Sequence, residues 1–238
     1  MKLDVLAIGA HPDDVELTCS GTVILMVKKG RKVGIVDLTR GELGTRGSAE
    51  IRDQEAADAT KIMGLSARVN LGMRDGFISN DESSRLKVVQ VIRRYQPDIV
   101  LCNSFSDRHP DHGVASKLVS DAVFLSGLHK LLTHDDGNRQ SAWKVRSVYH
   151  YIQDRYLKPD FTIDVSSVWN ERMEALKAFK SQFYNPESQE PESAISSKAF
   201  LDFIEARARE FGRPTGVPLA EAFQVERTPG VRDLFDLY

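Results

Sequence analysis

The sequence predicts an α/β fold: a Rossmann-like, doubly wound and mostly parallel sheet with helices on both faces. Three observations predict it. Short apolar runs rich in β-branched residues alternate with segments of helical period, the pattern of repeated βαβ units. The helical segments stop at Gly30, Gly64 and Pro97, residue types that end helices. Two Pro-stiffened clusters, His11-Pro12-Asp13-Asp14 and His109-Pro110-Asp111-His112, each lie between a strand-like run and a helical one. In doubly wound sheets, ligands bind outside the carboxyl ends of the strands.

In chain order, a first strand is expected over residues 3–10 and a first helix over 15–29, ended by Gly30. A second strand at 32–39 leads to a helix at 48–63 that Gly64 stops; a third at 67–71 leads to a helix at 82–95 before Pro97. The fourth strand, 98–103, precedes a helix at 113–132. Beyond it the pattern weakens. A polar loop at 134–142 is followed by strands at 145–152 and 161–165 and a helix at 168–183. Residues 184–197, rich in Pro, Ser and Glu, read as a mobile loop, and 198–211 return to helical period. No repeat or interdomain linker is visible, so residues 1–238 read as a single domain.

A net charge of -2 gives no electrostatic reason for a nucleic-acid or anionic-membrane partner, and a small polar metabolite fits better. Cys19 and Cys102 lie in apolar segments without CxxC spacing and read as buried thiols in a reducing compartment. The apolar run at 5–10 is short, follows Asp4 and is cut off by His11, which is wrong for a signal peptide. No segment reaches the roughly 18 apolar residues of a membrane span. The expected location is the cytoplasm.

The commonest doubly wound order puts the first and fourth strands side by side, so the two clusters should face each other across one cleft. Asp13 or Asp14 is placed to cap the following helix, with Glu16 completing a capping box. Two adjacent aspartates exceed what capping needs, and the second cluster repeats the design. A catalytic zinc commonly keeps three protein ligands and one position for water. His11, Asp14 and His112 would be the three. Asp13 is then the general base, and His109 the group that stabilises an oxyanion or protonates a leaving amine. Asp111 would either hold the His109 ring and keep it protonated or cap the next helix. The expected metal is Zn2+, with Fe2+ as the alternative, since two histidines and a carboxylate suit either.

These residues resemble the LmbE-like (PIG-L) N-acetylglucosaminyl deacetylases, whose signature is Ala-His-Pro-Asp-Asp followed much later by His-Pro-Asp-His. Here they stand as Ala10 to Asp14 and His109 to His112. The resemblance extends through Thr39 to Gly47, Ser106-Asp107-Arg108 and Ser181-Gln182-Phe183, and is nearest the branch acting on N-acetylglucosaminyl malate in bacillithiol synthesis. It implies the same zinc ligands and the same base, a sugar conjugate as substrate and a homo-oligomer such as a hexamer. It also implies that the 41–47 turn shapes the substrate pocket and that Arg52 contacts the sugar or its aglycone. Arg108, next to His109, is the candidate for a malate carboxylate, since guanidinium pairs with carboxylates as a bidentate fork.

Two departures from the family pattern stand out. Phe200 takes the place of a tyrosine that some relatives put on the late helix, and Leu219 to Phe223 replaces Tyr-Ala-Glu-Gly-Phe, which should alter the pocket rim. Three other readings remain open at this point: deacetylation of another N-acetylglucosaminide such as a chitin disaccharide, a non-haem iron oxygenase, and a sugar-binding module with a structural metal.

Overall fold

Alternation along the first strand, β1 (Val5–Gly9), sets the layering. Leu6 and Ile8 are buried with Val88, Val89, Leu118 and Val119 on one face, and Val5 and Ala7 with Val23, Ile24, Ala175 and Ala208 on the other. Successive strand side chains point to opposite faces, so an all-apolar strand needs cover on both.

The computed structural model describes residues 1–236. After β1 come α1 (Asp14–Thr18), α2 (Ser20–Lys28), β2 (Val33–Thr39), α3 (Ala49–Met63), β3 (Ala67–Met73), α4 (Glu82–Tyr95), β4 (Ile99–Cys102) and α5 (Pro110–Ser126). Then follow β5 (His134–Asp135), β6 (Asn138–Arg139), β7 (Ser147–Tyr151), β8 (Phe161–Asp164), α6 (Trp169–Lys177), α7 (Lys198–Gly212) and β9 (Ala220–Val225). The main sheet has seven strands in the order β3-β2-β1-β4-β7-β9-β8. Its first five are parallel, while β9 runs antiparallel to β7 and β8. β1 and β4 are neighbours, with Ile8 opposite Cys102, so both His/Asp clusters leave the same edge of the sheet at the strand-order reversal.

Five features differ from the sequence-based expectation. The helix expected at 15–29 is broken at Cys19, whose φ of -138° lies outside helical values. The break exposes the amides of Gly21 and Thr22, which donate to the Glu221 carboxylate at 2.8 and 2.7 Å. Glu221 thus caps α2 from the far end of the chain, in the way a local Asp or Ser would. The expected capping box does not form: Asp13 makes no side-chain cap, and Glu16 pairs with Arg68 at 2.6 Å.

The helix expected at 113–132 starts earlier, at Pro110, and stops at Ser126. Buried Arg93 takes the carbonyls of Ser126, Leu128 and Leu131 at 2.7–3.0 Å and so satisfies the backbone that follows. The polar loop at 134–142 contains the small hairpin β5-β6. The largest correction is β9. Residues 219–223 were expected at the pocket rim, but 220–223 lie in a strand inside the main sheet, between β7 and β8.

Candidate active site

Pro12 and the end of β1 bring Asp13 into the left-handed region at φ 111°, a conformation that costs a non-glycine residue about 1–3 kcal/mol and is concentrated at functional sites. Arg52 on α3 holds it there. One guanidinium nitrogen donates to Asp13 Oδ2 at 2.8 Å and to the Pro12 carbonyl at 2.5 Å, and the other to the Gly41 carbonyl at 3.1 Å. Gly41 accepts this contact only because it has no side chain: a Cβ would lie 1.9 Å from Arg52 Nη1.

Pro110 occupies the first turn of α5, and His109 is its N-cap, with Nδ1 accepting the Asp111 amide at 3.3 Å. A ring nitrogen that accepts carries no proton, so in neutral His109 the proton is on Nε2. One turn on, His112 Nδ1 lies 2.5 Å from Asp107 Oδ2. The other Asp107 oxygen accepts the amides of Asp154 and Arg155, which fixes the carboxylate and through it the imidazole.

Across the cleft the two clusters meet. His112 Nε2 is 3.3 Å from His11 Nδ1 and 3.3 Å from Asp14 Oδ1, and Asp14 Oδ2 is 3.7 Å from His11 Nδ1. Asn103 Nδ2 and Gln153 Nε2 donate to Asp14 at 3.0 and 2.5 Å, and Asn103 Oδ1 also accepts the Ala10 amide. On the opposite side of the His11 ring, Nε2 is 3.0 Å from Asp75 Oδ1 and 3.3 Å from Asp111 Oδ2. Asp75 accepts the Leu43 amide and Asp111 the Gly76 amide. His11 therefore offers two groupings that could hold a cation, one at each ring nitrogen. The Nδ1 side fits a transition metal better, because it gathers two imidazoles and a carboxylate, a known catalytic donor set.

His109 lies in the same cluster, its ring nitrogen within 4.8 Å of those of His11 and His112. It lines the cleft with its ring edge-on to His11 at 4.5 Å between centroids.

Burial dominates the electrostatics among these side chains. It pushes the Asp13 carboxyl up to about 7, against the opposing pull of Arg52. Burial also works against a charged His112, but the Asp14 charge and the bonds to Asp107 and Asp14 outweigh it and raise the pKa to about 9. His109 goes the other way: burial and the charges of His11 and His112 lower its pKa. Asp14 is held well below the usual carboxylate range, its burial overcome by the two histidines.

The comparisons with known proteins point one way. Residues 6–123 match the family model PIG-L, described as GlcNAc-PI de-N-acetylase. A conserved protein of Thermus thermophilus superimposes with a TM-score of 0.86 at 35% identity, covering 98% of each chain. The chain belongs to the PIG-L deacetylase family. Other relatives include a diacetylchitobiose deacetylase of Thermococcus kodakarensis, 29% identical over 189 residues, 75% of this chain and 70% of that one. A probable N-acetyl-alpha-D-glucosaminyl L-malate deacetylase 2 of Bacillus anthracis is 27% identical over 194 residues, 75% and 81% of the two chains.

In this PIG-L family member the structure brings His11, Asp13, Asp14, His109 and His112 together at the floor of one cleft of about 490 Å3, a size that suits a small sugar conjugate. Arg52 and Arg108 also line it. Arg52 is buried and committed to Asp13, whereas Arg108 is half exposed at the rim, its Nε 3.2 Å from Asp154. The expected hold of Asp111 on His109 is corrected. The Asp111 carboxylate faces His11 and Gly76, and the surroundings of His109 disfavour its protonated form. Phe200 also lines the cleft. Asp75, Asn103 and Gln153 were not found from sequence. Asn103 and Gln153 each had one available signal, a polar residue at the carboxyl end of a strand; Asp75 had none.

Proposed function

We propose that the protein is a metal-dependent N-deacetylase that hydrolyses the acetamide of an N-acetylglucosaminyl conjugate to an amine and acetate, with N-acetylglucosaminyl malate as its substrate. The observation that carries this reading is the position of Asp13. It is a buried carboxylate, pinned by Arg52, beside a His-Asp-His donor set that does not need it as a ligand. The family supports the acetamide, and the Bacillus anthracis relative supports the malate conjugate.

His11, Asp14 and His112 would hold zinc, or ferrous iron, which the same donors suit. When bound, the metal supplies Lewis acidity that polarises the acetamide and makes a water nucleophilic near neutral pH. Asp13 accepts the proton of the attacking water and returns a proton to the departing nitrogen. His109, neutral with its proton on Nε2, donates to the oxygen that develops negative charge. Arg108 pairs with the malate carboxylate through the guanidinium edge that Asp154 leaves open. The test is acetate release from N-acetylglucosaminyl malate, free N-acetylglucosamine and diacetylchitobiose, with metal content measured on the same sample. Preference for the disaccharide would replace malate by a chitin fragment; no acetate from any of them would end the deacetylase reading.

A further inference from the structure

One wall of the cleft is built by residues 192–195, Glu192, Ser193, Ala194 and Ile195, from the Pro-, Ser- and Glu-rich segment between Phe183 and α7. Most of residues 184–192 are exposed, and their own bonds are short turns: Ser188 to Asn185, Glu187 to Asn185, Glu190 to Ser188. Among the described residues, one side chain gives residues 184–196 all their hydrogen bonds and ion pairs to the rest of the molecule. That side chain is Glu190. Its Oε1 accepts the Gly47 amide at 2.8 Å, and its Oε2 lies 3.7 Å from Arg46 Nε. Ile195 adds apolar packing against the cluster of Phe179 and Phe183.

Arg46 supplies the reason for this contact. Its side chain is 4% exposed, and its Nε has no hydrogen-bond partner. Among the described residues its only ion-pair partner is Glu190. A buried guanidinium without a counter-charge is unfavourable, so closure of the segment relieves a cost that opening would restore. The loop that receives Glu190 is itself fixed: Gly47 has a φ of +71° with no room for a Cβ against Ser181, and Gln182 donates to the Arg46 carbonyl at 2.8 Å.

We infer that Glu190 is a positioning residue that latches the 184–197 segment onto Arg46 and Gly47, and that this latch sets the fit of the cleft around the part of the substrate beyond the N-acetylglucosamine ring. The kinetic half of this inference rests on the deacetylase reading above; the latch itself does not.

The experiment compares the wild-type protein with Glu190→Ala and Glu190→Gln by hydrogen exchange and by kinetics. With the latch, Glu190→Ala raises exchange at the Gly47 amide and through residues 184–196 by about tenfold or more, while the core strands keep their protection. Glu190→Gln retains an acceptor for Gly47 but not the charge, and gives an intermediate rise. In acetate release, KM for a two-ring N-acetylglucosaminide rises about tenfold, and KM for free N-acetylglucosamine by less than about threefold, with kcat within about a factor of two and metal content unchanged. Unchanged exchange in Glu190→Ala overturns the latch. Raised exchange with equal KM changes on both substrates overturns its role in fit. A wild-type protein that releases no acetate refutes the deacetylase reading, and the exchange result still decides the latch.

Discussion

Replacing Arg52 by Ala separates two roles that one guanidinium could play in this cleft. Arg52 and Asp13 are 5% and 7% exposed and joined at 2.8 Å, so Arg52→Ala leaves Asp13 buried without its counter-charge. Breaking a buried pair from one side typically costs about 3–5 kcal/mol. For a chain of this size that corresponds to a fall of roughly 6–20 °C in Tm.

The loss depends on pH in a defined direction. Asp13 in the metal-free wild type titrates at about 7, above its ordinary 3.8. The stability contributed by its bound proton is fully present below 3.8 and lost as pH rises through 7. Without Arg52 the pKa moves higher still, because a nearby cation no longer favours the carboxylate. The deficit of the variant is therefore largest above about pH 7. It shrinks on acidification, when Asp13 is neutral in both proteins. Calorimetry of the chelated proteins at about pH 5, 7 and 8 measures this directly. On metal-loaded enzyme, the acid limb of kcat/KM moves to higher pH, and the rate on that limb falls about tenfold for every pH unit it moves. If Arg52 acts only by touching substrate, KM rises while the acid limb and the melting curves stay in place, and the positioning argument is refuted.

Four further outcomes are expected. Metal affinity should rise about tenfold or more per pH unit between about pH 6 and 8, since metal must displace the proton that His112 holds to about 9; a pH-independent affinity by chelator competition refutes this. In the metal-free protein that same proton adds stability fully present below 6.5 and lost as pH rises through 9. Asp13→Asn should retain metal and lose about a hundredfold or more in acetate release, and near-normal turnover would place the base elsewhere. Asn103→Ala, which removes a donor to Asp14 and the acceptor for the Ala10 amide, should weaken metal binding about 10- to 100-fold, with activity recovering at excess metal. Arg108→Ala should raise KM for the malate conjugate about 10- to 100-fold more than for free N-acetylglucosamine, and equal changes would remove Arg108 from malate recognition.

Strands β1, β2 and β4 were legible because each is a short apolar run next to a helical segment, and their order follows from the doubly wound rule; β3 and β7 carry polar residues and were legible from their place between helix stops and loops. The first-to-fourth strand contact, and with it the meeting of His11 and His112, came from that rule alone. The strand β9 was hidden for a physical reason. Its sequence, Ala220-Glu221-Ala222-Phe223-Gln224-Val225, combines small residues of low β-propensity with a buried charge that serves α2, so neither composition nor alternation marks it. The groups that orient the site were hidden for another. Asp75 and Gln153 act through a fold contact with His11 or Asp14, across 64 and 139 positions of sequence, and no local pattern encodes such a contact. Asp111 was misread because adjacency to His109 suggested a partner, whereas the helix turns its carboxylate towards His11.

The cap that Glu221 places on α2 also has a consequence in time. Helix α2 continues directly from the turn of α1 that carries Asp14, and its open amides wait for a residue 200 positions later. A chain emerging from the ribosome exposes both His/Asp clusters long before it can complete this cap or insert β9 between β7 and β8. Contacts of such sequence separation form late and slowly. The first motif therefore reaches its final rigidity only after β9 has been made, and a nascent chain ending before β9 should hold its metal loosely, exchanging it with the surroundings until that strand enters the sheet.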